Sequence, residues 1–301
     1  MSEKKNNDKL GTQASSLQND VDMMTSQPEK SSFIKKLNID RRWVFLFILL
    51  GVAIPLLIPF GFEIEVSKNV QMVYDLVNSA QPGELILLSF DYDPSSKPEI
   101  QPAAEAMIQQ AIDKNLRIVC IALWPMGVSL VNEIYEKKID SLHYGVNYIN
   151  LGYTAGGMVA IQSMGRNFID VFPRDADGNN VNDFEIMQGI RNLNDFSFVS
   201  SFSSGDPGMR QWIMVAGDSY GVPVTGVTTA VSTPGFLPYI NEQRQLHGLI
   251  GGLKAAAEYE KLVGVPGSAT AGMDAQSIAH LIIIIFIIIG NVSWHLKKIK
   301  Q

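Results

Sequence analysis

The sequence predicts an α/β protein: a three-layer, Rossmann-like, mostly parallel sheet of about five strands, flanked by two transmembrane helices. Three observations carry that reading. From about residue 68, short runs that are apolar on both faces alternate with amphipathic segments, the pattern of parallel strands covered by helices. Two uncharged apolar stretches near the ends are each long enough for a hydrocarbon core of about 30 Å. Polar and glycine-rich turns follow the apolar runs, where open parallel sheets bind their ligands.

Residues 1–42, rich in Asn, Ser, Gln, Lys and Asp and without apolar periodicity, read as a disordered cytoplasmic tail. Residues 43–62, "WVFLFILLGVAIPLLIPFGF", read as the first span, whose Pro55 and Pro59 a membrane helix tolerates. The long polar leader and the lack of an A-x-A-like site in "PFGFEIEVS" argue against a cleaved signal peptide. Residues 278–296 read as the second span, with Trp294 at the interface, and 297–301 as a second cytoplasmic tail. Lys30, Lys35, Lys36, Arg41 and Arg42 precede the first span, and Lys297, Lys298 and Lys300 follow the second. Only Lys68 and Lys261 lie close on the inner flanks. The positive-inside rule then predicts a two-pass protein of the plasma (inner) membrane, with both termini cytoplasmic and residues 63–277 forming an extracytoplasmic α/β domain.

Within that domain, "NVQMVYDLVNSA" is amphipathic, with Val70, Val73 and Val77 on one face. "ELILLSF", "LRIVCIAL", "VNYINLG", "FSFVSSF" and "VPVTGVTTAV" read as five strands. Between them, "KPEIQPAAEAMIQQAIDKN" (Pro98 in its first turn), "GVSLVNEIYEKK", "GGMVAIQSMG", "DFEIMQGIRNL" and "PGMRQWIMVAGDSYG" read as helices. "NEQRQLHGLIGGLKAAAEYEKLVG" reads as a long last helix, whose glycines and alanines suit close packing within the domain or between protomers.

Charge narrows the partners. Residues 1–42 and 297–301 hold 11 Lys/Arg against 6 Asp/Glu, and the remainder holds 13 against 24. A domain that acidic lacks the clustered cations that phosphate neutralisation needs, so nucleic acid is excluded as a partner. The lone Cys120, inside an apolar run, reads as a small buried hydrophobe.

The candidate site residues stand at the expected carboxyl ends of the strands: Asp91, Asp93 and Ser96; Trp124; Gly152, Tyr153 and Gly156; Ser204 and Asp206; Thr228 and Thr229. Asp91 and Asp93, at i and i+2, share one side of an extended chain, and with Asp206 they would supply oxygen ligands for a divalent cation, Mg²⁺ or Ca²⁺. The competing reading makes Asp93 and Ser96 a turn that caps the next helix. It is preferred, because no basic residue completes a phosphoryl-transfer set at the other strand tips. "GYTAGGM" matches neither G-x-G-x-x-G nor the P-loop and reads as turn geometry. "RDADGNNVND" has Asn180 and Ile186 where a calcium loop needs Gly and Glu, so it reads as a solvated turn capping "DFEIMQGIRNL". There is no H-E-x-x-H. The apolar loop "TTAVSTPGFLPYI" is either a partner or ligand surface or ordinary core.

These features predict a membrane-anchored ligand- or partner-binding module, a non-enzymatic subunit of a membrane complex. Its partners would be the lipid bilayer and a second copy or another membrane protein. The alternative is a metal-assisted extracytoplasmic hydrolase or transferase using the strand-end aspartates.

Overall fold

A computed structural model describes residues 40–138 and 140–298. The predicted tails lie outside these apart from residues 40–42, 297 and 298. The chain divides into two compact units, one holding the described residues up to Val52 and from Ser277 onwards, the other Ala53–Gln276.

The larger unit is built on a six-stranded, fully parallel sheet of order β3-β2-β1-β4-β5-β6. This is the doubly wound order, and it reverses direction between β1 and β4. The strands are β1 (Leu85–Asp91), β2 (Arg117–Ala122), β3 (Tyr148–Tyr153), β4 (Phe198–Ser203), β5 (Val224–Thr228) and β6 (Leu249–Gly251). Among the described residues the chain has ten α-helices: α1 (Arg41–Leu57), α2 (Lys68–Ser79), α3 (Lys97–Asp113), α4 (Gly127–Lys137), α5 (Met158–Arg166), α6 (Phe168–Val171), α7 (Met209–Trp212), α8 (Thr233–Phe236), α9 (Gly252–Val263) and α10 (Ser268–Lys298).

The alternation of β1 separates the two cores. Ile86, Leu88 and Phe90 point into a core shared with α2, α3, α4 and α9, where Val70, Val73 and Val77 are buried as their spacing predicts. Leu85 and Leu87 point into a second core with α5, α6, α7 and the turn at Phe196, where Phe168 and Trp212 are buried. Cys120 is buried in the first core, and burial raises its thiol pKa well above the usual range. The serines and the aspartate of β1 and β4 interrupt the second core. Ser89, Asp91, Ser201 and Ser203 are all buried there, so the two central strands carry a polar column towards their carboxyl ends.

Several predicted elements change. β6 is a sixth strand inside the segment expected to be the long last helix, which begins only at Gly252. Gly248 and Gly252 have φ of 148° and 72°, and a Cβ on Gly248 would collide with Val73 and the Asn69 carbonyl in α2. Those glycines let the chain turn and press against α2. His247 therefore stands just before β6 and not on a helix. "DFEIMQGIRNL" forms no α-helix but 3₁₀ turns at Glu185–Met187 and Leu193–Asp195. Asn192 accepts from the Asn194 N–H at 2.9 Å, and Asp195 accepts from the Arg191 and Asn192 N–H groups, so side chains compete with the helix ladder. "PGMRQWIMVAGDSYG" shrinks to α7 and a π turn at Ile213–Gly217.

In the smaller unit, the Phe47 and Phe286 rings lie 6.1 Å apart. A Cβ on Gly51 would strike the Ile282 side chain, so the two apolar segments approach closely there. Among the described residues one helix, Ser268–Leu296, is long and apolar enough to cross a membrane. The first predicted span is helical for 17 residues only, Arg41–Leu57, because Pro59 disfavours the helical backbone at Ile58.

Candidate functional site

The rim at the carboxyl ends of the strands starts from Asp91. Strand alternation turns it inward beside Ser89, and it is 0% exposed. Oδ1 accepts from Ser89 Oγ at 2.7 Å and the Leu123 N–H at 2.9 Å; Oδ2 accepts from Ser201 Oγ at 3.1 Å and Trp212 Nε1 at 3.2 Å. Burial raises its pKa to about 6, against the lowering effect of those four donors. Asp91 thus fastens the tips of β1 and β4 to α7 and to the end of β2.

Asp93 has a different environment. The strand ends at Asp91, so the alternation that would put both carboxylates on one side stops there. Asp93 Oδ1 accepts from the Ser95 N–H at 2.9 Å, Ser95 Oγ at 2.6 Å and the Ser96 N–H at 3.3 Å, closing the turn into α3. The Ser95 hydroxyl is the main cause of its lowered pKa. Ser96 occupies the N-cap position of α3, but its hydroxyl makes no cap bond. Asp206 Oδ1 accepts from Gln211 Nε2 at 3.1 Å beyond the tip of β4. The three aspartates expected to share a cation therefore do not converge. Among the described residues no group of three or more His, Cys, Asp or Glu is placed to hold a metal ion.

The crevice at the β1/β4 switch, where a doubly wound sheet ordinarily seats its ligand, is occupied by the protein's own groups. Trp124 Nε1 donates to the Pro207 carbonyl at 2.7 Å. Its ring lies so near Gly205 that an added Cβ would stand 3.1 Å from it, and a Cβ on Gly157 would stand 3.0 Å from Pro207. The "GYTAGG" loop is accordingly packed against this lid and holds no open cradle. Gly152 donates to Asn150 Oδ1 at 3.0 Å with φ of 82°, at the register shift just before Tyr153 closes β3 against Ala122, and Gly156 has φ of 107°.

Two clefts open on either side of the closed crevice. At the β3 tip, Gly152 and Tyr153 join Phe172, Arg174 and Asp175 around about 350 Å³. Its charges are satisfied internally. Asp175 accepts from Tyr144 Oη and the Asp177 and Asn179 N–H groups, and Arg174 donates to the Gly178 carbonyl. At the β4 and β5 tips, Ser204, Asp206, Arg210, Thr228, Ser232 and Phe236 surround about 290 Å³. Here Thr228 Oγ1 donates to the Ser203 carbonyl at 2.9 Å and ties the two strand ends together as a firm floor. Thr229 Oγ1 donates to Ser232 Oγ at 3.1 Å, which leaves the Ser232 proton free to point elsewhere. Among the described residues Arg210 makes no ion pair or side-chain hydrogen bond.

Of the sequence candidates, the structure brings Ser204, Asp206 and Thr228 into one cleft, with Thr229 behind it. It puts Gly152 and Tyr153 in another, buries Asp91, and uses Trp124 as a plug. The expectation that no basic residue stands at these tips is corrected by Arg210, which follows the β4 tip by seven positions and arrives through the turn into α7. Sequence reasoning also missed Ser232, whose only signal is its place in the "TTAVSTPGF" loop. Compared with known protein families, curated proteins and solved structures, the chain matches none. What can be stated is a class: a doubly wound parallel α/β domain whose switch crevice is sealed and whose open, polar cleft has moved one strand along the rim.

Proposed function

We propose that this chain is a membrane-anchored binding module, a non-enzymatic subunit of a plasma-membrane complex. It takes a ligand or partner in the cleft between the β4 and β5 tips. The observation that carries the reading is the contrast along the rim: the switch crevice is filled, and the neighbouring cleft holds polar side chains with unused bonding capacity. Among the described residues neither His143 nor His247 uses a ring nitrogen in a hydrogen bond, so the geometry favours binding over a His-activated nucleophile. Val231, 88% exposed at the mouth of the cleft, and the exposed Met126, Tyr153, Val159 and Leu237 give the same rim an apolar border suited to a protein partner.

The anchoring is two-pass, with both termini cytoplasmic and the sheet domain outside. Support comes from the outward-facing Phe45, Leu49, Leu281, Ile284 and Ile288, the close approach at Gly51, and the lysines and arginines flanking both apolar segments. A membrane-impermeant maleimide on intact cells is expected to label Glu136→Cys and to leave Ser16→Cys unlabelled until lysis, with the buried Cys120 silent. The reverse pattern overturns the topology. Purified in mild detergent, the chain is expected to retain a bound molecule or partner that Ser232→Trp expels; a lone chain with nothing bound refutes the binding reading.

A further inference from the structure

We infer that the cleft between the β4 and β5 tips recognises a small zwitterion with an apolar side chain, of the amino-acid class. The inference rests on the binding reading above and specifies what is bound. Asp206 and Arg210 line the same cleft, yet no ion pair joins them. Opposite charges that share a cleft without pairing each remain available to a ligand that carries both signs.

The cleft walls hold the two charges differently. Gln211 donates to Asp206 Oδ1 while its Oε1 accepts from the Gly208 N–H at 2.9 Å, so the carboxylate is oriented from behind and Oδ2 stays open. The Arg210 guanidinium offers a planar fork matched to a carboxylate. Ser204 and Ser232 add hydroxyl donors, Ser232 with its acceptor side already taken by Thr229. Val231 and Phe236 supply the apolar wall. At about 290 Å³ the cleft sits at the lower limit of ligand pockets, about 300 Å³, which favours an amino-acid-sized molecule over a nucleotide.

Three probes of one carbon skeleton separate the charges: L-leucine, 4-methylpentanoate without the ammonium, and 3-methylbutylamine without the carboxylate. Titrated calorimetrically into the full chain in detergent, L-leucine is expected to bind at least tenfold tighter than either half. Arg210→Ala should erase its advantage over the amine, and Asp206→Asn its advantage over the carboxylate. Failure of L-leucine to bind, or its binding unchanged by Arg210→Ala, overturns the inference. Equal, Arg210-dependent binding of L-leucine and 4-methylpentanoate removes the zwitterion and leaves the binding reading standing. Both variants are surface changes, and unchanged far-ultraviolet circular dichroism separates lost binding from lost fold.

Discussion

The sheet domain uses its carboxylates in opposite ways at two places. At the junction where its connecting segments meet, Asp274 accepts from the N–H groups of Phe60, Gly61 and Phe62 at 2.7, 2.8 and 3.2 Å. Glu260 accepts from the Gly267, Ala269 and Thr270 N–H groups and from Thr270 Oγ1, capping the start of α10. Glu258 accepts from the Ser67 N–H at 2.9 Å. All three carboxylates are buried, and their acceptors are spent on the backbone of neighbouring segments; for the buried Ala269 and Thr270 the N–H groups would otherwise be stranded. On the rim, Asp206 and Arg210 are exposed and keep bonding capacity in reserve. A buried carboxylate surrounded by backbone N–H groups is a structural clamp; an exposed one that shares a cleft with an unpaired cation is equipped to bind.

The comparison is most easily broken at the junction. Asp274→Ala removes three charge-assisted hydrogen bonds, each worth about 1.5–3 kcal/mol, and with solvent able to reach part of the freed N–H groups chemical denaturation is expected to read a loss of about 3–5 kcal/mol. A loss below about 1 kcal/mol would mean the junction is not clamped.

Asp91 gives the next largest effect, and it depends on pH. Its folded pKa of about 6 lies above its unfolded value of 3.8, so its contribution to stability is full below pH 3.8 and is lost as pH rises through about 6. That window is worth about 3 kcal/mol. Glu84, Asp93 and Glu133, with lowered pKa values, run the other way, and their contribution is lost as pH falls. The Asp91 signal is therefore the wild-type curve minus that of Asp91→Asn. The difference should slope between pH 4 and 6 and be flat above pH 7; parallel curves would refute it. The amide also sets an NH₂ against the Trp212 or Ser201 donors, so the slope is the diagnostic and not the sign at neutral pH.

Glu260→Gln keeps the shape but weakens three of the four hydrogen bonds and sets its NH₂ against the Ala269 N–H, with an expected cost of about 2 kcal/mol in the same assay. The smallest stability effect sharpens the contrast. Arg210→Ala should stay within about 0.5 kcal/mol of wild type while abolishing ligand recognition. A large destabilisation would make Arg210 structural.

Much of the architecture was legible in the chain. The apolar runs at Leu85–Asp91, Arg117–Ala122 and Phe198–Ser203, bounded by turn residues and alternating with helical segments, read as buried parallel strands, and the 3.6-residue spacing of Val70, Val73 and Val77 reads as a core-facing helix. These are local patterns, and burial reads them directly. β6 was hidden because "LHGLIGG" is short and equally apolar for a helix, and its contact with β5 is needed to decide. The failed helix at "DFEIMQGIRNL" was hidden because capping by Asn192 and Asp195 outweighs an apolar spacing that looks helical.

The sequence by itself determined which residues lie at the carboxyl ends of the strands, because strand ends follow from hydrophobic runs and turn residues. Which of them face outward, only the tertiary structure decided. Asp91 and Asp93 are chemically alike and two positions apart, and the end of one strand sends the first into the core and the second into a turn. Likewise the packing of Trp124 and Gly157 around Pro207, from three different loops, seals the crevice and leaves the open cleft to Asp206, Arg210 and Ser232. Long-range packing makes that choice, and no local stretch of the chain encodes it.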